Sequence, residues 1–84
     1  MTDDFELDLR GLKCPLPVLR TRKRLARLAA GATLKVTATD PMAAIDIPHM
    51  CHEDGHRLLA IDRPDARTHV FRIQCRPLAG CRRV

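Results

Sequence analysis

Two prolines set two residues apart, Pro15 and Pro17, constrain this chain more than any other feature. A proline has no backbone N–H and its ring clashes with the carbonyl one turn back. Neither residue therefore belongs deep in a helix, yet both fit a first helical turn, where the N–H has no partner anyway. Upstream, Phe5-Glu6-Leu7-Asp8-Leu9 alternates apolar and polar residues with period two, the pattern of a strand buried on one face, and Gly11 ends it. Downstream, Val18, Thr21, Leu25 and Leu28 recur at steps of three and four, with Arg20, Lys23, Arg24 and Arg27 on the opposite side. The prolines thus mark a strand-to-helix junction: Cys14 is expected as N-cap, Pro15 as first helical residue, and Gly31 as the end of the helix. Arg22 lies at the edge of the buried face, and Leu16 and Leu19 point away from it as contact residues.

The remaining elements follow from the same periodicities. Leu34, Val36 and Ala38 share one face of a second strand, with Lys35 and Thr37 on the other. Asp40-Pro41 reads as a cap-plus-proline helix start. Residues 41–54 are helical in composition, but Pro48 is expected to break them into a short turn and a segment begun by Asp46, closed by Gly55. Residues 56–62 and 68–75 read as two further strands around a turn at 63–67.

This order, β-α-β-α-β-β, predicts an α/β two-layer sandwich, a four-stranded mixed sheet with both helices on one face. A right-handed crossover makes the first two strands parallel, and the last two form an antiparallel hairpin. Eighty-four residues allow one core, so residues 1–75 form a single domain and 76–84, with Pro77 and Gly80, a basic and flexible tail. Leu, Ile, Val and Phe make up 21 of the 84 residues, enough for a compact globule. Neither a bilayer span nor a signal peptide is present, and the chain reads as cytoplasmic.

A net charge of +5 invites a nucleic-acid reading, but its distribution points elsewhere. Residues 1–9 carry four acids and no base, whereas residues 10–27 carry seven bases and no acid. The excess surrounds Cys14. Trp and Tyr are absent and only Phe5 and Phe71 are aromatic, which excludes base-stacking platforms.

Four cysteines, Cys14, Cys51, Cys75 and Cys81, allow several chemistries. A disulfide framework needs an oxidising compartment that nothing indicates, and Cys-x-x-Cys spacing, the mark of zinc or thioredoxin-type redox sites, is missing. His49, His52 and His56 fall on one helical face near Cys51, but no second cluster completes a metal site; they read as an exposed polar face over a buried Cys51. No metal is expected. Cys14 differs from the others. At a helix N-terminus, beside Lys13 and within reach of Arg10 or Arg22, its thiol is expected to have a lowered pKa and to act as a nucleophile. It has no legible histidine partner, resolving cysteine or phosphate loop. A single activated thiol of this kind suits a carrier, which accepts a sulfane sulfur, holds it as Cys-S-SH and passes it on.

The segment Asp8-Leu9-Arg10-Gly11-Leu12-Lys13-Cys14-Pro15-Leu16-Pro17 resembles the strand and Cys-Pro-x-Pro signature of the TusA/SirA sulfur-carrier family. The resemblance continues through Arg22-Lys23, Asp40-Pro41, Ile47-Pro48 with Cys51, and Gly55-His56, and covers residues 5 to 75. It implies the same two-layer fold, with Cys14 as the persulfide-bearing residue and a sulfurtransferase activity without independent turnover of a small molecule. No cofactor beyond the covalent persulfide is implied. The implied donor is a cysteine desulfurase or a rhodanese-like protein. The implied acceptors are relay proteins serving tRNA thiolation, molybdenum cofactor assembly or sulfur oxidation.

On this reading Lys13, Arg10 and Arg22 stabilise the thiolate or persulfide, while Leu16, Leu19, Arg20, Lys23, Arg24 and Arg27 dock an acidic partner. Cys51 matches a position that does not carry sulfur and is expected in the core. Leu16 fills the variable position between the prolines, where some other members carry an acid, and Cys81 in the basic tail has no counterpart. The free protein is expected to be a monomer that binds neither membrane nor, stably, nucleic acid. Two other classes compete: a basic nucleic-acid-binding module, whose element order occurs in the C-terminal domain of a translation initiation factor, and a regulatory interaction module without sulfur chemistry.

Overall fold

A computed structural model describes residues 4–75. The elements run β1 (Asp4–Leu9), α1 (Leu16–Leu25), β2 (Thr33–Ala38), α2 (Ala43–Asp54), β3 (Arg57–Asp62) and β4 (His69–Gln74). The strands form one sheet in the order β1-β2-β4-β3. β1 and β2 are parallel, with Asp4 opposite Thr33 and Leu9 opposite Ala38, and β4 is antiparallel to both β2 and β3. This is the expected mixed sheet with both helices on one face. The basic tail and Cys81 lie outside the described residues.

Period-two alternation builds the core. Leu34, Val36 and Ala38 of β2 and Phe71 and Ile73 of β4 turn to the helices and are fully buried. Ile47, Met50 and Cys51 of α2 and Leu25 of α1 close over them. Each large side chain removed from water here stabilises the fold by about 1.5–3 kcal/mol. β1 lies at the sheet edge, so its alternation is only partly realised: Leu9 is buried, Leu7 half-buried and Phe5 exposed under the guanidinium of Arg24, 5.8 Å from the ring centroid. In α1, Thr21 and Leu25 are buried as the period predicts, and Arg20, Lys23 and Arg27 are exposed. Thr21 sits fully buried with no hydrogen-bond partner for its hydroxyl.

The helices differ from the sequence-based expectation in four places. α1 ends at Leu25, not Gly31, because after the Ala26 N–H has bonded the Arg22 carbonyl, Arg27 and Leu28 tighten into bonds three residues back; Gly31 supplies the positive φ that lets the chain enter β2. Its start is also shifted: Pro15 is the N-cap and Leu16 the first helical residue, so Cys14 lies one position before the cap. Pro48 does not break α2, which is continuous with Pro48 inside it. The proline removes one hydrogen bond, to the carbonyl of Ala44, while the anchors Ala43, Ile47, Met50 and Cys51 on either side of it hold the helix to the sheet. Asp46 is therefore a first-turn residue rather than a helix start. Asp40 is not the cap either: the helix begins at Ala43 after a Pro41-Met42 turn.

Candidate functional site

Parallel pairing of β1 and β2 brings their C-terminal ends, and hence the starts of α1 and α2, to one end of the sheet. Cys14 sits there, in the connection from β1 to α1. That connection is pinned: Gly11 adopts φ 87°, open to glycine and unfavourable for other residues, and its N–H donates to Thr39 Oγ1 at 2.9 Å. The Leu12 N–H donates to the Leu9 carbonyl. The Cys14 N–H then donates to Asp40 Oδ2 at 2.7 Å, and its Sγ donates to Asp46 Oδ2 at 3.3 Å. Cys14 is exposed, whereas Cys51 and Cys75 are buried.

The electrostatics reverse the expectation of a lowered thiol pKa. The Cys14 pKa is raised, first by the hydrogen bond to Asp46, then by desolvation and by the negative charges of Asp46 and Asp40. The helix does not counter this, because the prolines that start it strip away its donors. Pro15 and Pro17 have no N–H, the Leu16 N–H is taken by the Lys13 carbonyl at 2.8 Å, and the Leu19 N–H by that of Pro15 at 3.1 Å.

Among the cations proposed from sequence, only Lys13 stands beside the thiol, as its neighbour in the chain, and it is exposed. Arg10 is engaged with Asp8 through two guanidinium bonds of 2.9 Å, which hold the Asp8 carboxyl down at about 2. Arg22 donates to Asp54 Oδ2 at 2.8 Å and ties α1 to α2. Neither arginine hydrogen-bonds Cys14.

The apolar candidates are placed as expected and have company. Leu16 and Leu19 are exposed on α1; Met42 and Ile45, at the start of α2 beside Asp46, are exposed as well. The four range from 41% to 63% exposed, so apolar side chains of both helix starts flank the thiol end. The basic side chains Arg20, Lys23, Arg24 and Arg27 line a shallow groove with Leu7, along the β1 side of α1.

Cys51 is 2% exposed, and burial pushes its thiol up to about 11. Cys75 is buried too, its Sγ facing the Leu25 carbonyl at 3.5 Å. His49 and His52 are exposed, and among the described residues no group of three or more His, Cys, Asp or Glu is placed to hold a metal ion. No helix of the described residues is long and apolar enough to cross a membrane. In the sequence Asp40 and Asp46 read as helix starts rather than as neighbours of Cys14, and Met42 and Ile45 are not singled out. The signal was the parallel β1–β2 unit itself, which places both helix starts at one sheet end.

Comparison with known proteins bears on the fold and the family. The family model described as sulfurtransferase TusA matches residues 5–75. A sulfur carrier protein TusA of Pseudomonas entomophila is 46% identical over 77 residues, covering 88% of this chain and 95% of the relative. A putative sulfur carrier protein of Neisseria meningitidis is 48% identical over 59 residues, 70% of this chain and 80% of the relative. The crystal structure of a SirA-like protein from Desulfitobacterium hafniense superposes with a TM-score of 0.76 at 25% identity, over 86% of this chain and 97% of that one.

Proposed function

The chain belongs to the TusA sulfurtransferase family, and from that premise we propose that Cys14 holds sulfane sulfur as a persulfide and relays it between a donor and an acceptor protein. The observation that carries this reading is that Cys14 is the one exposed thiol among the described residues. In loading, Cys14 loses its proton and its sulfur attacks the terminal sulfur of the donor's persulfide. The new Cys14 S–S bond forms, the donor's S–S bond breaks, and the donor cysteine leaves as a thiolate that regains a proton. Discharge repeats the exchange with the acceptor's thiolate as attacker. Neither step needs a cofactor.

The donor is a cysteine desulfurase or rhodanese-like protein, and the acceptor is a sulfur-relay protein. Leu16, Leu19, Met42 and Ile45 form the apolar rim that such a partner covers, which excludes water from the exchanging sulfurs. The cationic side chains of Arg20, Lys23, Arg24 and Arg27 lie to one side of that rim and steer an acidic surface towards it. Intact mass measured after incubation with a persulfide donor tests the reading. Wild type is expected to gain one sulfur, released by dithiothreitol, and Cys14→Ser to gain none; equal gain in Cys14→Ser would move the carrier function to another cysteine.

A further inference from the structure

Among the described residues, Cys14 hydrogen-bonds one side chain through its sulfur, and that side chain is an acid. We propose that Asp46 is a protonation lock on Cys14: by accepting the thiol hydrogen at 3.3 Å, it keeps the sulfur of the unpartnered protein as S–H and slow to react. The proposal rests on the reading of Cys14 as the sulfur-bearing residue and assigns Asp46 a part in controlling it.

The geometry supports a lock in three ways. Asp40 fixes the Cys14 backbone through its N–H at 2.7 Å, so the sulfur is presented to Asp46 from a held position. Both acids come from the β2–α2 unit, Asp40 from the connection and Asp46 from the first turn of α2, and among the described residues they are the charged side chains whose fields raise the Cys14 pKa. On its own segment the cationic neighbour is Lys13, while Arg10 and Arg22 are held by Asp8 and Asp54. Losing the proton would therefore leave a thiolate against carboxylates, with few free amides at the helix start to solvate it.

Such a lock suits an exposed cysteine that must survive between encounters. Thiolates, not thiols, are oxidised and alkylated, so a thiol kept protonated resists both. When Asp46 is drawn away, the sulfur is released as a more basic, and hence intrinsically stronger, nucleophile than one activated by a permanent positive field.

The test is the pH profile of Cys14 carboxymethylation by iodoacetamide, followed on the Cys14 peptide by mass spectrometry. Asp46→Asn removes the charge at constant shape and is expected to move the profile to lower pH. For every roughly tenfold rise in thiolate fraction, nucleophilicity falls with a Brønsted slope of about 0.4–0.5, which leaves a net gain at neutral pH of roughly three- to fourfold. Asp46→Glu keeps the carboxylate and is expected to hold the profile near wild type. Asp54→Asn, on the same helix but bonded to Arg22, is expected to leave it unmoved. A profile for Asp46→Asn that coincides with wild type or moves to higher pH overturns the proposal, as does an Asp46→Glu profile that follows Asp46→Asn.

Circular dichroism melting confirms that each variant is folded, and Asp46→Ser supplies a second removal of the charge. The readout concerns the free thiol and no persulfide. Failure of the lock is thus separate from failure of the carrier reading, which shows in the intact mass of Cys14→Ser.

Discussion

Cys14 and Cys51 are both held as thiols, but for opposite reasons. Cys51 lies in the core, where the absence of water disfavours its charge and pushes the pKa to about 11. Cys14 lies on the surface, where a carboxylate does the same work. Desolvation by a packed core is lifted only by unfolding, whereas a hydrogen bond from an exposed side chain can be exchanged for another without disturbing the fold. The contrast shows how one small domain keeps one sulfur inert and another quiet but available.

Native-state labelling breaks the contrast most directly. With iodoacetamide and peptide-level mass spectrometry, Cys14 is expected to react at least about a thousandfold faster than Cys51 or Cys75, because buried thiols wait for opening of a fold worth several kcal/mol. Comparable rates would mean that α2 detaches readily from the sheet. Next comes the packing that guards Cys51. Ile47→Ala is expected to cost about 2–5 kcal/mol in urea unfolding and to raise Cys51 labelling, without shifting the Cys14 pH profile. The reverse change is available at Thr21, whose buried hydroxyl lacks a partner: Thr21→Val is expected to stabilise by about 1 kcal/mol and slow Cys51 labelling further.

A pH slope tests the same burial from another side. Because the folded state raises the Cys51 pKa from 9.0 to about 11, its contribution to stability is complete below pH 9 and is lost as pH climbs towards 11. Urea midpoints for wild type are expected to fall more steeply than those of Cys51→Ala across that window, and parallel curves would show that Cys51 contributes nothing to the slope.

Much of the fold was legible because it rests on local periodicity. Leu34, Val36 and Ala38 read as a strand face, Thr21 and Leu25 as a helix face, and each is buried where its spacing puts it. The misreading at Pro48 came where long-range packing overrides local preference. Pro48 weakens a helix in isolation, but Ile47, Met50 and Cys51 are anchored in a core that sequence alone does not display.

The candidate site divides in the same manner. Cys14, Leu16 and Leu19 were visible as local features of a helix start. Asp40 and Asp46 lie 26 and 32 residues away from Cys14 and meet it only through the β1–β2 pairing. Their arrival inverted the expected electrostatics, because a helix start that opens with two prolines offers a sulfur few amides.

The register of the sheet has a practical consequence for handling the molecule. Asp4 is paired with Thr33, and the backbone of Cys75 bonds to Gly31 and Ala32, so both ends of the described domain lie at the sheet end opposite Cys14. A six-residue strand separates the two ends by about 20 Å. Either end of the domain is thus a place to attach a reporter or a neighbouring domain while the sulfur stays open to a visitor, as a handle is kept away from a blade.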